Sequence, residues 1–103
     1  MSASEPENST RAKLRTEVMA VRWSDLVPQF ARGALLLIEK RLDLLDVAEA
    51  MARDDRSTIE AFLSDGDLRR ASDHDAHGFT AAAAEARFQC VIVQPWVLAQ
   101  LIS

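Results

Sequence analysis

FQCVIVQPWVLAQLI, residues 88–102, is the most apolar run in the chain, interrupted only by Gln89, Gln94, Gln100 and Pro95. Phe88, Cys90, Val91, Ile92 and Val93 are aromatic, β-branched or small, so the first half reads as a strand, and Pro95 closes it because proline has no ladder donor. Both faces of that strand are apolar and both need a cover. Beyond it, Trp96, Val97, Leu98, Leu101 and Ile102 read as a terminal apolar tail with no later element to pack beneath. Helices from so short a chain cover one face well and the other in part, which predicts a homodimer with residues 88–102 at its interface. The rival expectation is a monomer, in which a first helix carrying Leu14, Val18 and Val21 folds over the second face.

A second strand with two apolar faces precedes it. ALLLIEK, residues 34–40, sets Leu36 and Ile38 on one side and Leu35 and Leu37 on the other. Helical spacing surrounds these two runs. Leu14, Val18 and Val21 predict a helix over 10–21 whose opposite side is Arg11, Arg15 and Arg22. Ser24 then suits an N-cap, with Trp23 stapling onto Pro28, Leu26 and Phe30 facing inward, and Gly33 at the C-terminal cap. Leu42, Asp43 and Asp46 open a helix that buries Leu44, Val47, Ala48 and Met51 and turns Asp43, Asp46, Glu49 and Arg53 to water. Ser57-Thr58-Ile59-Glu60 has the capping-box form and starts a short helix burying Ile59, Phe62 and Leu63, stopped by Gly66. Residues 67–71 read as extended, with a brief edge strand through Leu68. Ser72 caps a helix over 73–87 with Ala76, Phe79 and Ala83 inward. The expected fold is α+β, with a small two- or three-stranded, mainly antiparallel sheet packed with four to five helices. Residues 1–9 form a disordered tail and 10–103 a single domain.

At 103 residues the chain can bury a core without disulfides, and its one cysteine, Cys90, has no partner to pair with. A reducing, cytoplasmic compartment follows most simply. MSASEPENST lacks the basic end and apolar run of an export signal, and residues 88–102 are too short and too polar to span a membrane. The net charge of −4 is unevenly placed. Residues 11–22 hold Arg11, Lys13, Arg15 and Arg22 against Glu17, whereas residues 42–75 hold ten acids against Arg53, Arg56, Arg69 and Arg70. An acidic middle argues against a nucleic-acid surface there.

Few side chains suggest chemistry. His74 and His77 stand three apart, yet two histidines without further ligands do not complete a metal site. Cys90 lies in an apolar strand, where a reactive thiolate is disfavoured. With three glycines in the chain, neither a dinucleotide fingerprint nor a phosphate loop can be assembled. No cofactor or metal is expected. The binding candidates are Trp23 and Trp96, as aromatic anchors, Asp54 and Asp55, as paired carboxylates beside Arg53 and Arg56, and Gln100.

Trp23, Leu26, Phe30, Ala31 and Gly33, LDLLDVAEAMARDD at 42–55, Leu63 with Gly66, and PWVLAQ at 95–100 together resemble a family of small bacterial proteins known only as a domain of unknown function. The resemblance spans 23–100 and implies a bacterial cytoplasmic protein with one domain. It supplies no activity and no catalytic residue, and the histidines lie outside the motifs that carry it. The favoured function is a self-associating protein-interaction module without catalytic activity. The alternatives are a helix-turn-helix-like DNA-binding protein, built on residues 44–66 but lacking basic residues in its second helix, and a small carboxylate- or metal-dependent enzyme.

Overall fold

Alternating apolar faces force residues 88–102 into the middle of the molecule, and a two-residue turn divides that run into two strands. The computed structural model describes residues 5–82 and 86–102. Its helices are α1 (Glu5–Glu17), α2 (Trp23–Ala31), α3 (Leu44–Ala52), α4 (Arg56–Ser64) and α5 (Asp73–Ala81). Its strands are β1 (Met19–Arg22), β2 (Leu35–Ile38), β3 (Leu68–Arg70), β4 (Arg87–Val93) and β5 (Trp96–Leu101). They form one mixed sheet in the order β1-β4-β5-β2-β3. Val93 lies opposite Trp96 in the antiparallel β4–β5 pair, so Gln94 and Pro95, joined by a cis peptide bond, make the turn. β5 runs parallel to β2, with Leu36 opposite Leu98, while β1 and β3 complete the edges antiparallel.

The α+β class and the helix count agree with the sequence, but the sheet has five strands rather than two or three. Two of the additional strands correct specific expectations. Residues 96–101 are not a tail: Pro95 turns the chain, and β5 enters the centre of the sheet, where Val97, Leu98 and Ala99 are buried. Residues 19–22 continue the helical spacing of Leu14 and Val18 yet fold as β1, with Val21 opposite Phe88. α1 begins at Glu5, so the helix takes in residues assigned to a disordered tail.

Both faces of the sheet are covered by this chain alone. On one side Leu35, Leu37, Phe88, Cys90, Val97 and Ala99 pack with Trp23 and Leu26 of α2, and Phe79 of α5 borders them. On the other, Leu36, Ile38, Val91 and Leu98 pack with Leu14 of α1 and with Leu44, Val47 and Ala48 of α3, with Ile59 and Phe62 of α4 at the margin. Leu63, expected inside, is 49% exposed. α1 therefore supplies the second cover, as the monomer expectation required. Its Arg11 also reaches Asp46 at 2.9 Å, Glu49 at 3.1 Å and Asp43 at 3.2 Å, so the acidic face expected to point to water is in part neutralised by the basic helix.

Helix ends follow the local chemistry with two exceptions. Asp43 caps α3 by accepting the Leu45 N–H at 2.8 Å, and Ser72 and Asp75 form a reciprocal box on α5. α2, however, starts at Trp23, its entry fixed by Asp25, which accepts the Arg22 N–H at 3.0 Å; Ser24 is not the cap. α4 is capped by Asp55 and not by Ser57. α5 ends at Ala81, and Ala83 lies outside the described residues.

Asp75 also receives two bonds from the Arg69 guanidinium, tying β3 to α5. The Arg69 side chain, together with the Ser72 N–H and hydroxyl, holds the Asp75 carboxyl down at about 2 despite partial burial. A carboxyl depressed on folding stabilises fully above its unfolded value of 3.8 and loses that contribution as pH falls toward 2. Wild-type stability is expected to drop over that window by up to about 2 kcal/mol from this group, and the drop should be smaller in Asp75→Asn. Urea titrations at pH 2 to 5 check it; identical acid limbs would contradict it.

Candidate functional site

Three of the five candidates, Trp23, Gln100 and Asp55, stand apart in structural roles. Trp23 lies in the first core, 3% exposed, its ring centroid 5.2 Å from that of Phe79 and 5.8 Å from that of Phe30, and its indole N–H donates to the Thr80 hydroxyl at 3.1 Å. It is a packing residue. Gln100 is buried in β5: its amide N–H groups donate to the carbonyls of Leu42 at 2.6 Å and Glu39 at 2.9 Å, and its oxygen accepts from Gln89 at 2.7 Å. It fixes the loop after β2. Asp55 is occupied at the α4 terminus, where bonds from the Thr58 hydroxyl and N–H lower its carboxyl below the usual range.

Asp54 and Trp96 do come together. The α3–α4 corner and the β4–β5 turn enclose an open cleft of about 410 Å³. Met51 and Asp54 line it from α3 and its end, Arg56, Ile59 and Glu60 from α4, and Val93, Gln94, Pro95 and Trp96 from the hairpin. Arg70 of β3 lies over the Trp96 ring, 5.5 Å from its centroid, a separation at which a cation is attracted to the ring face. Asp54 and Arg56 stand 3.8 Å apart but are both exposed, so their attraction is weak. The lining contains two carboxylates and no histidine, serine, threonine or cysteine. Such a surface can accept an apolar group between Trp96, Ile59 and Met51.

Asp54 has a structural reason of its own. α2 and α4 end with Gly33 and Gly66 at φ 74° and 78°, each N–H bonding back into the last turn. α3 ends in the same pattern, with Asp54 N–H to Met51 and Asp55 N–H to Ala50, but the left-handed position is filled by Asp54 at φ 57°. An L-side chain is disfavoured there. Asp54→Gly is expected to stabilise the fold by about 0.5 to 1 kcal/mol and to raise Tm by a few degrees in a thermal melt. A lower Tm would show that the carboxylate does more than terminate the helix.

A second surface was not evident in the sequence. β1 forms one edge of the sheet, and the α2–α5 layer stops short of its first residue, leaving Met19 45% and Ile92 43% exposed. Met19 pairs with Cys90, two residues before Ile92, so the two side chains are diagonal neighbours on one face. Thr16, Glu17 and Gln94 border the same corner. The clue in the sequence was the β-prone run Val18 to Val21, masked by its helical spacing.

Burial raises the Cys90 thiol, and the Asp25 charge adds to the effect, which disfavours a thiolate there. His74 and His77 are exposed on α5, and among the described residues no three His, Cys, Asp or Glu side chains form a group that could hold a metal ion. No helix among the described residues is long and apolar enough to cross a membrane.

Comparison with curated proteins gave no match. Among solved structures, the chain is similar to PA1075 from Pseudomonas aeruginosa, determined in solution by NMR, with 40% sequence identity, a TM-score of 0.79, and coverage of 92% of this chain and 86% of that one. The family model described as "Protein of unknown function (DUF2288)" matches residues 9–101, and the chain belongs to that family.

Proposed function

We propose that this chain is a self-associating protein-interaction module without catalytic activity, working in the bacterial cytoplasm and without a nucleic-acid or membrane partner. The observation that supports self-association best is the open corner of the sheet, where Met19 and Ile92 stay exposed beside an edge strand. Large apolar side chains at an unpaired edge favour association. The polar residues that chemistry would need are engaged otherwise: Asp55 caps a helix, Gln100 holds a loop, and Asp43, Asp46 and Glu49 meet Arg11. That last contact sets Arg11 of the basic segment against three carboxylates of the acidic one, which weakens the DNA-binding alternative. The enzyme alternative has Asp54 and Glu60 in the Trp96 cleft but no nucleophile beside them.

Light scattering after size exclusion at micromolar concentration tests this function. A mass approaching twice 11.4 kDa is expected as concentration rises. A constant 11.4 kDa would contradict it.

A further inference from the structure

The backbone directions at the sheet's edge identify which groups are open. Ile102 donates its N–H to the Arg87 carbonyl, so Arg87 and Gln89 direct their backbone groups toward β5, and Phe88 and Cys90 direct theirs toward β1. Their partners Val21 and Met19 point inward, which aims the N–H and C=O of Ala20 off the edge. Arg22 points outward too, but its N–H already donates to Asp25. The opposite edge, β3, carries Arg69 and Arg70, charges that discourage strand addition, whereas the first three residues of β1 are uncharged.

We infer that two copies of the chain pair through β1, antiparallel about a two-fold axis at Ala20, joining their sheets into one. This rests on the self-association reading and names its surface. Charge selects a second copy. With Ala20 opposite Ala20 of the partner subunit, Met19 meets Val21 of the partner subunit, and Arg22 comes within a residue of Glu17 of the partner subunit. Arg22 and Glu17 are both exposed and stand at opposite ends of β1, so antiparallel pairing sets each beside its opposite charge, while parallel pairing would align like charges. The Ala20 methyl allows close approach, and Ile92 extends the apolar contact beyond the strand. An edge of four residues makes a small interface, so the dimer should dissociate on the order of micromolar.

Ala20→Pro removes the outward N–H while keeping the inward ladder of β1, a position an edge strand tolerates. It should leave the far-ultraviolet circular dichroism and the melt unchanged and raise the dimer Kd about tenfold to a hundredfold. Met19→Lys, which leaves the β1 backbone untouched, should weaken the dimer in the same direction and serves if the proline variant fails to fold. Under mild oxidation Ala20→Cys should form a disulfide-linked dimer, since facing residues in a hydrogen-bonded antiparallel pair lie about 5.5 Å apart between Cα atoms, and Ser24→Cys should not. A wild-type dimer that Ala20→Pro and Met19→Lys leave intact, with no cross-link at Ala20→Cys, would overturn the β1 pairing but not self-association. A wild-type monomer at every concentration would overturn both.

Discussion

Phe88→Ala is expected to lower the unfolding free energy by about 3 to 5 kcal/mol and Tm by about 15 to 30 °C. Phe88 is fully buried on β4, between Val21 of β1 and Leu101 of β5. Its ring meets Phe79 edge-on, with centroids 5.0 Å apart, and stands 6.3 Å from Trp23. Truncation removes the transfer energy of a benzyl group and leaves a cavity where two strands, α2 and α5 converge, so little can collapse to fill it. Domains of this kind have about 5 to 15 kcal/mol in total, so the variant should be near the limit of folding. Urea unfolding monitored by tryptophan fluorescence measures the change. A loss below about 1 kcal/mol would mean that the cluster around Trp23 is not the core.

Gln100→Leu is expected to lose about 2 to 4 kcal/mol, although leucine fits the volume and is more apolar. The cost comes from what is left behind: the carbonyls of Glu39 and Leu42 and the amide of Gln89 lose a partner in a partly buried place. The midpoint in urea should fall with an unchanged m-value, because the same surface is exposed on unfolding. An unchanged midpoint would return Gln100 to the binding candidates, since its conversion would then cost the fold nothing.

Which parts of this structure could be read from the residues depended on how local their causes are. β2 was legible because Leu35 to Ile38 alternate between two apolar faces, and the caps at Asp43 and Ser72 were legible because they act within three residues. β1 was hidden because its Val21 extends the spacing of Leu14 and Val18 by one more helical turn, and tertiary pairing with Phe88 outweighs that local pattern. β5 was hidden because proline both ends strands and makes turns; only the return of Trp96 to Val93 distinguishes the two. Among the candidates, Trp96 and Asp54 share a cleft, whereas Trp23 and Gln100 are distinctive residues with structural roles. Aromatic anchors and buried amides attract attention in a sequence for the same reason that they matter to packing. The Met19–Ile92 corner had only the masked run Val18 to Val21 as a clue, since half-exposure arises from where α2 stops, a property of assembly and not of composition.

Self-association through β1 makes one amide decisive. The Ala20 N–H is directed away from β4, so in a monomer it exchanges with solvent at the rate of an edge group, while the Met19 and Val21 amides are held in the ladder. Amide hydrogen exchange read residue by residue, at protein concentrations well below and well above the micromolar range, tests the pairing directly. The expected result is an Ala20 amide whose exchange slows about tenfold or more as concentration rises, with Met19 and Val21 little changed. An Ala20 amide that exchanges equally fast at both concentrations would contradict it.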